Sequence, residues 1–164
     1  MLIGYSSSAH ALTEYLKNGN FDIDLNSDYI PDFWLKSSNS TSSDSLVYLD
    51  GSNRYRFFPV STGYKSLTQS LWLTNGGKFS VRAQVKTQYN NPVGNLRMKL
   101  DYFKDGISQG YSYVDLPSAY ESTTWKTFTI NNINPNKSFN HVKLSIENSI
   151  QIGYSYFNSV SLFR

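Results

Sequence analysis

The chain has 164 residues and no cysteine, so neither a disulfide nor a thiolate metal site can form. That absence leaves the compartment open, because a secreted domain of this length can bury a core large enough to stand without cross-links. Histidine is scarce: His10 and His141 are the two present, and neither sits at a catalytic or metal-binding spacing. No G-x-S-x-G elbow and no glycine-rich phosphate loop occurs, and no pair of carboxylates is marked out by its context. The chain is therefore not expected to be an enzyme. Charge is sparse too, at 16% of residues, with a net of +3 and no run of Lys or Arg to form a stripe. A nucleic-acid partner is not expected. No stretch approaches the roughly 20 apolar residues that span a bilayer, so membrane insertion is not expected either. Met1–Leu16 interrupts Leu2, Ile3, Ala9, Ala11 and Leu12 with polar residues, and lacks the basic start and cleavage site of a secretion signal. The expectation is a piece of a larger protein that carries it to its place of action.

What the chain does have is aromatic residues, 13 Tyr, 10 Phe and 3 Trp, among abundant Ser, Thr and Asn. That mixture favours strands joined by polar turns. Alternation predicts strands over Leu46–Leu49, Tyr55–Pro59, Ser66–Leu73, Lys78–Gln88, Asn95–Lys104, Tyr111–Val114, Thr124–Ile130, His141–Ile146 and Tyr154–Phe163. Turn signals separate them at Asp50-Gly51, Asn75-Gly76-Gly77, Asn90-Asn91-Pro92, Asp105-Gly106 and Asn134-Pro135-Asn136. Short strands spaced in this way predict an all-β fold, an antiparallel β-sandwich or a barrel, over residues 18–164. Residues 1–17 read as a linker or N-terminal extension, with a turn of helix possible over Ala9–Lys17. Ser37–Ser45 reads as a polar loop.

Parity assigns faces. Phe79, Val81, Ala83 and Val85 share one side of their strand, and Ser80, Arg82, Gln84 and Lys86 the other. Leu96, Met98, Leu100 and Tyr102 oppose Arg97, Lys99 and Asp101, while Val142, Leu144 and Ile146 oppose Lys143, Ser145 and Glu147. Each strand thus presents a polar outer side, as any solvated sheet would. If Leu71 and Leu73 face the core, Trp72 is exposed.

Several segments, in order, resemble the carbohydrate-binding modules of the galactose-binding-domain-like jelly-roll type, families 4, 9, 16 and 22. They are Leu16-Lys17-Asn18-Gly19-Asn20-Phe21-Asp22, then Pro31 and Trp34, then Leu67, Gln69 and Leu71, then Gly77-Lys78-Phe79. Trp125-Lys126-Thr127-Phe128 and the closing Tyr156-Phe157-Asn158-Ser159-Val160-Ser161-Leu162 complete the set. The resemblance implies a jelly roll, with Trp34 and Trp125 packing inside it. It also implies a structural calcium between the opening segment and the final strand, with Asp22 and Asn158 as candidate ligands. Asn158 stands where the family commonly has Asp, which removes a charge from that site.

A sugar offers hydroxyls to planar polar groups and its C–H faces to aromatic rings. The candidate polar residues are Arg82 and Gln84, with Asp101 and Glu147 beside them if those strands are neighbours. The candidate stacking residues are Trp72, Tyr64, Tyr89, Tyr111 and Tyr113, against the plainer alternative that such rings line the rim of the sandwich. The expected function is non-catalytic binding of a cell-surface or cell-wall polysaccharide, bacterial cell wall foremost, weak per site and multivalent through the parent protein. By resemblance to modules in evolved distal tail proteins of bacteriophages, the expected setting is a virion tail, used for host attachment, or otherwise extracellular. Two other readings stand beside it: a targeting module of a secreted glycoside hydrolase, and a structural or protein-interaction sandwich without a sugar site.

Overall fold

Asp-Gly pairs close two hairpins of the fold. In the computed structural model, which describes residues 13–73, 78–88, 94–116, 124–133 and 137–164, Asp50-Gly51 and Asp105-Gly106 both hold positive φ. Two-residue loops of that kind twist with their strands and fix the register. They join β2 (Ser45–Leu49) to β3 (Ser52–Phe57), and β6 (Leu96–Lys104) to β7 (Ile107–Leu116). The other strands are β1 (Leu35–Lys36), β4 (Lys65–Trp72), β5 (Phe79–Thr87), β8 (Lys126–Ile133), β9 (His141–Asn148) and β10 (Ser155–Phe163).

These ten strands form two antiparallel sheets, and no helix occurs among the described residues. Sheet I runs β1-β4-β9-β6-β7 and sheet II runs β2-β3-β10-β5-β8. The expected sandwich is what the chain adopts. Each expected strand is present with ends shifted by a few residues, and β1 is an addition too short for its alternation to show. The turn signals at Asn75-Gly76-Gly77, Asn90-Asn91-Pro92 and Asn134-Pro135-Asn136 lie outside the described residues.

The inward residues are those that parity assigned. Val81, Ala83, Leu96, Met98, Leu100, Val142, Leu144 and Ile146 are all buried between the sheets, and full burial of such a side chain contributes roughly 1.5–3 kcal/mol. One end of the core is aromatic. Phe21 meets Trp34 edge-on at 5.5 Å, Tyr55 meets Phe57 at 4.9 Å, and Phe57 meets Phe157 at 5.9 Å.

The opening segment packs on this core through Tyr15, Leu16 and Phe21. Tyr15 N–H donates to Leu162 C=O at 2.9 Å, and Val160 N–H donates to Gly19 C=O at 2.8 Å. A Cβ at Gly19 would stand 2.1 Å from the Val160 carbonyl, so only glycine permits that approach. A buried ion pair pins the far side: Lys65 Nζ lies 3.0 Å from Asp44 and also donates to the carbonyls of Phe58 and Pro59.

Candidate functional site

Register places the outward residues of sheet I in tiers. Trp72, His141 and Phe103 form the first, and Ser70, Lys143, Asp101 and Tyr111 the second. Thr68, Ser145, Lys99 and Tyr113 follow, then Ser66, Glu147, Arg97 and Asp115. His141 is flanked by the rings of Trp72 at 5.1 Å and Phe103 at 5.4 Å, while Tyr111 and Tyr113 stand 5.9 Å apart. Trp72 is 79% exposed and Tyr111 61%, with His141 against the one and Lys99 Nζ 4.8 Å from the ring centre of the other.

The ions of this face neutralise one another. Asp101 accepts Lys99 at 2.9 Å on one oxygen and meets Lys143 at 3.8 Å on the other. Arg97 Nε donates to Asp115 at 2.8 Å, and its guanidinium lies 4.3 Å from the Tyr113 ring centre and 5.2 Å from that of Tyr64. That bond to Asp115 raises the Arg97 pKa. Glu147 makes no hydrogen bond or ion pair among the described residues. Burial pushes its carboxyl up, against the attraction of Lys99 and Arg97.

The outer face of sheet II is different. Arg56, Tyr156 and Lys86 lie in one tier, and Asn158 and Gln84 in the next. Asn158 Nδ2 donates to Gln84 at 2.8 Å, and Arg54 donates to Asn158 Oδ1 at 3.0 Å. The tip of the β2–β3 hairpin brings Asp50 onto this face, where its carboxylate accepts Lys86 at 2.9 Å and Trp125 Nε1 at 3.2 Å. Those two hydrogen bonds hold the Asp50 carboxyl below the ordinary range.

The expected site residues are thereby divided. Trp72, Tyr64, Asp101, Tyr111 and Tyr113 share sheet I, together with Glu147. Arg82 and Gln84 stand on sheet II, because β5 pairs with β10 and β8, whereas β6 and β9 pair in the other sheet. Arg82 and Gln84 therefore do not share a face with Asp101, Glu147 or Trp72, and that grouping is corrected. Tyr89 and His10 lie outside the described residues. Trp34 is buried as expected, but Trp125 is not in the core. Phe128 and Ile130 take the inward side of β8, so Trp125 and Thr127 face outward; Trp125 lies against Arg54 and Lys86. Phe103, His141, Lys99, Lys143, Arg54 and Arg56 were not anticipated as site residues. The outward parity of Phe103 against Tyr102 was the available signal.

No family model and no curated protein matches this chain. Solved structures do. A family 61 carbohydrate-binding module in complex with β-1,4-galactotriose is 17% identical, with a TM-score of 0.63, over 93% of this chain and 99% of that one. A Stig cyclase from Fischerella sp. TAU, in complex with a pyrrolidinylidene-indole, is 15% identical, with a TM-score of 0.67, over 93% and 98%. The enzymatically active domain of bacteriophage CBA120 tailspike protein 4 is 14% identical, with a TM-score of 0.64, over 92% of this chain and 21% of that one. The fold is the jelly roll that sugar-binding modules share with some enzymes.

The structural calcium implied by such jelly rolls does not fit the residues present. The oxygen of Asn158 receives the Arg54 guanidinium, and Asp22 is bonded by the Asn20 amide. In the hollow between the opening segment and the final strand, one Glu14 oxygen already accepts the N–H groups of Tyr15, Leu16 and Leu162. Among the described residues, no three His, Asp or Glu side chains converge.

Proposed function

We propose that this chain is a non-catalytic module that holds a polysaccharide against the outer face of sheet I. The observation that carries the reading is the meeting of open rings with polar groups on one continuous face. Trp72 and Tyr111 offer flat apolar surface, and the second tier offers Asp101, Lys143 and Ser70 for hydroxyls. From His141 to Glu147 this face runs roughly 20 Å at about 3.3 Å per residue, enough for several sugar units. The likeness to a module that binds a galactan oligosaccharide supports the reading.

Fold alone does not exclude catalysis, since cyclases share it. The carboxylates of this face argue against it: Asp101 is held by two lysines, and Glu147 has no second free carboxylate tier to work with. Bacterial cell-wall polysaccharide is the ligand we favour, in a virion tail or another extracellular protein. A tailspike that contains this fold supports that setting. Binding of a shallow sugar surrenders water that already satisfied the polar groups, so single-site affinity is low and attachment needs several copies.

The test is a glycan array with the protein displayed multivalently, followed by labelled binding to bacterial cells. Retention that falls in Trp72→Ala and Tyr111→Ala, with unchanged melting, supports the reading; retention of nothing by the parent removes it. One observation favours protein contact in that event. Leu25, Tyr29, Phe33 and Leu35 stand exposed along the opening loop, a cluster suited to a parent or partner protein.

A further inference from the structure

The outer face of sheet II gathers cations that the chain itself leaves largely unpaired. Arg54, Arg56, Arg82 and Lys86 rise from β3 and β5, and Asp50 is the only carboxylate to form an ion pair with any of them among the described residues. Four positive groups and one negative equal the formal net charge of +3, so the remaining charged residues cancel. With Asp22 also attracting Arg54, the face still holds a local excess of positive charge.

The guanidiniums rest on rings instead of carboxylates. Arg54 lies 5.0 Å from the Trp125 ring centre, Arg56 lies 4.7 Å from Phe58, and Arg82 lies 5.2 Å from Phe163. A ring beneath a guanidinium holds it flat and leaves its edge N–H groups to a planar or tetrahedral anion. Among the described residues the buried Nε atoms of Arg54 and Arg56 find no hydrogen-bond acceptor, and Arg82 is the most open of the four cations. Asp50 shows how the face takes a carboxylate, since its oxygen collects both Lys86 and Trp125 Nε1. It is carried there by a two-residue hairpin tip, not by the sheet.

We propose that the outer face of sheet II is a second binding face, for an acidic glycan bearing carboxylate, sulfate or phosphate groups, and that Asp50 competes with this ligand for Lys86 and Trp125. The glycan part rests on the carbohydrate reading above; the charge argument does not. Gln84, Asn158, Ser161, Thr127 and Thr129 supply amides and hydroxyls to the same surface, which suits sugar hydroxyls. Nucleic acid is disfavoured because Trp125 already carries Arg54 and Lys86 against its ring and is not free to stack on a base. Sheet I matches an anionic polymer less well, since its cations are paired with Asp101 and Asp115 and Glu147 adds a further carboxylate.

Affinity electrophoresis through polygalacturonate, dextran sulfate, phosphomannan, neutral β-1,4-galactan or duplex DNA, at low and physiological ionic strength, tests the proposal. At least one acidic glycan should retard the protein, less so as salt rises. Which of the three does so identifies the anion. Arg82→Ala and Lys86→Ala should each weaken that retention about 2- to 5-fold, and Asp50→Asn should strengthen it by a similar factor. Asp50→Asn should leave galactan retention where it was. Arg82 is exposed, so its variant remains informative if the Lys86 variant fails to fold. Retardation by none of the acidic glycans overturns the proposal. So does DNA retention as strong as theirs, or weakened binding in Asp50→Asn. Acidic-glycan retention in a protein that binds no neutral glycan on the array would overturn the sheet I reading and leave this one intact.

Discussion

On sheet I, Asp101 lies between Lys99 and Lys143, the Trp72 ring is 79% exposed, and the Tyr111 ring carries Lys99 at 4.8 Å on one side. On sheet II, Trp125 is held against Arg54 and Lys86, and among the described residues Asp50 is the carboxylate that forms an ion pair with those cations. Both faces grow from the same two-residue alternation over one core. Cations touch rings on both, but they differ in how the charge is balanced: on sheet I Arg97, Lys99 and Lys143 each have a carboxylate partner, whereas on sheet II the arginines form no ion pair among the described residues. The first arrangement leaves apolar surface for a neutral ligand, and the second leaves positive charge for an anionic one.

The comparison presumes that both faces depend on a single interior, and the harshest way to break it is to damage that interior. Asp44→Ala would strand the Lys65 ammonium, which is 3% exposed, without its carboxylate. Loss of one partner of a buried pair destabilises by about 3–5 kcal/mol. Urea unfolding should show that loss, and binding through both faces should weaken together as the folded fraction falls. A variant as stable as the parent would show that the pair is incidental to the fold.

The two tryptophans sharpen the contrast between interior and face. Trp34→Ala empties a buried site beside Phe21 and should cost about 3–5 kcal/mol. Trp125→Ala removes a half-buried ring on the outer surface, together with its contacts to Arg54 and Lys86 and its hydrogen bond to Asp50, and should cost on the order of 1 kcal/mol. Equal losses in thermal melts would return Trp125 to the core, where the sequence resemblance had put it. At the ligand level, Trp72→Ala should weaken neutral-glycan binding about tenfold, the scale of truncating one well-placed aromatic, without moving the melting temperature. A fall in acidic-glycan binding by the same variant would show that the faces are not separate.

The course of the strands was legible because each decision was local. Val81, Ala83 and Val85, or Met98 and Leu100, announce an inward side by parity alone, and Asp50-Gly51 and Asp105-Gly106 announce their hairpins. The allotment of strands to sheets was not legible. β4 is followed by β5 in the chain yet joins the other sheet, so Trp72 and Arg82 read as neighbours in sequence and stand on opposite sides of the sandwich. Trp125 was misplaced for another reason: a motif was weighed above parity, although Trp125 and Phe128 must face opposite ways in a regular strand. The Asp44–Lys65 pair joins a loop to β4 across 21 residues and leaves no periodic trace.

The finest test of the comparison uses pH, because one carboxylate from each face, Glu147 and Asp50, should respond with opposite sign. Burial raises the Glu147 carboxyl, so its ionised form is the one that folding disfavours. Well below the ordinary carboxylate range the group is neutral in both folded and unfolded chains, and the penalty is absent. It develops as pH rises and is complete above the raised folded value. Glu147→Gln should thus match the parent at about pH 3.5 and exceed it slightly at about pH 7.5, by well under about 1 kcal/mol given its half-open surroundings. Asp50 is lowered by the hydrogen bonds from Lys86 and Trp125, so its contribution is present above the unfolded value and is lost as pH falls through the folded one. Asp50→Asn should therefore trail the parent near neutrality and converge with it in acid, by a smaller amount still because the carboxylate is open to water. Melting curves of both variants across this range check the signs. If the two differences run in the same direction, the carboxylates of the two faces are not in the contrasting environments from which their ligands were inferred.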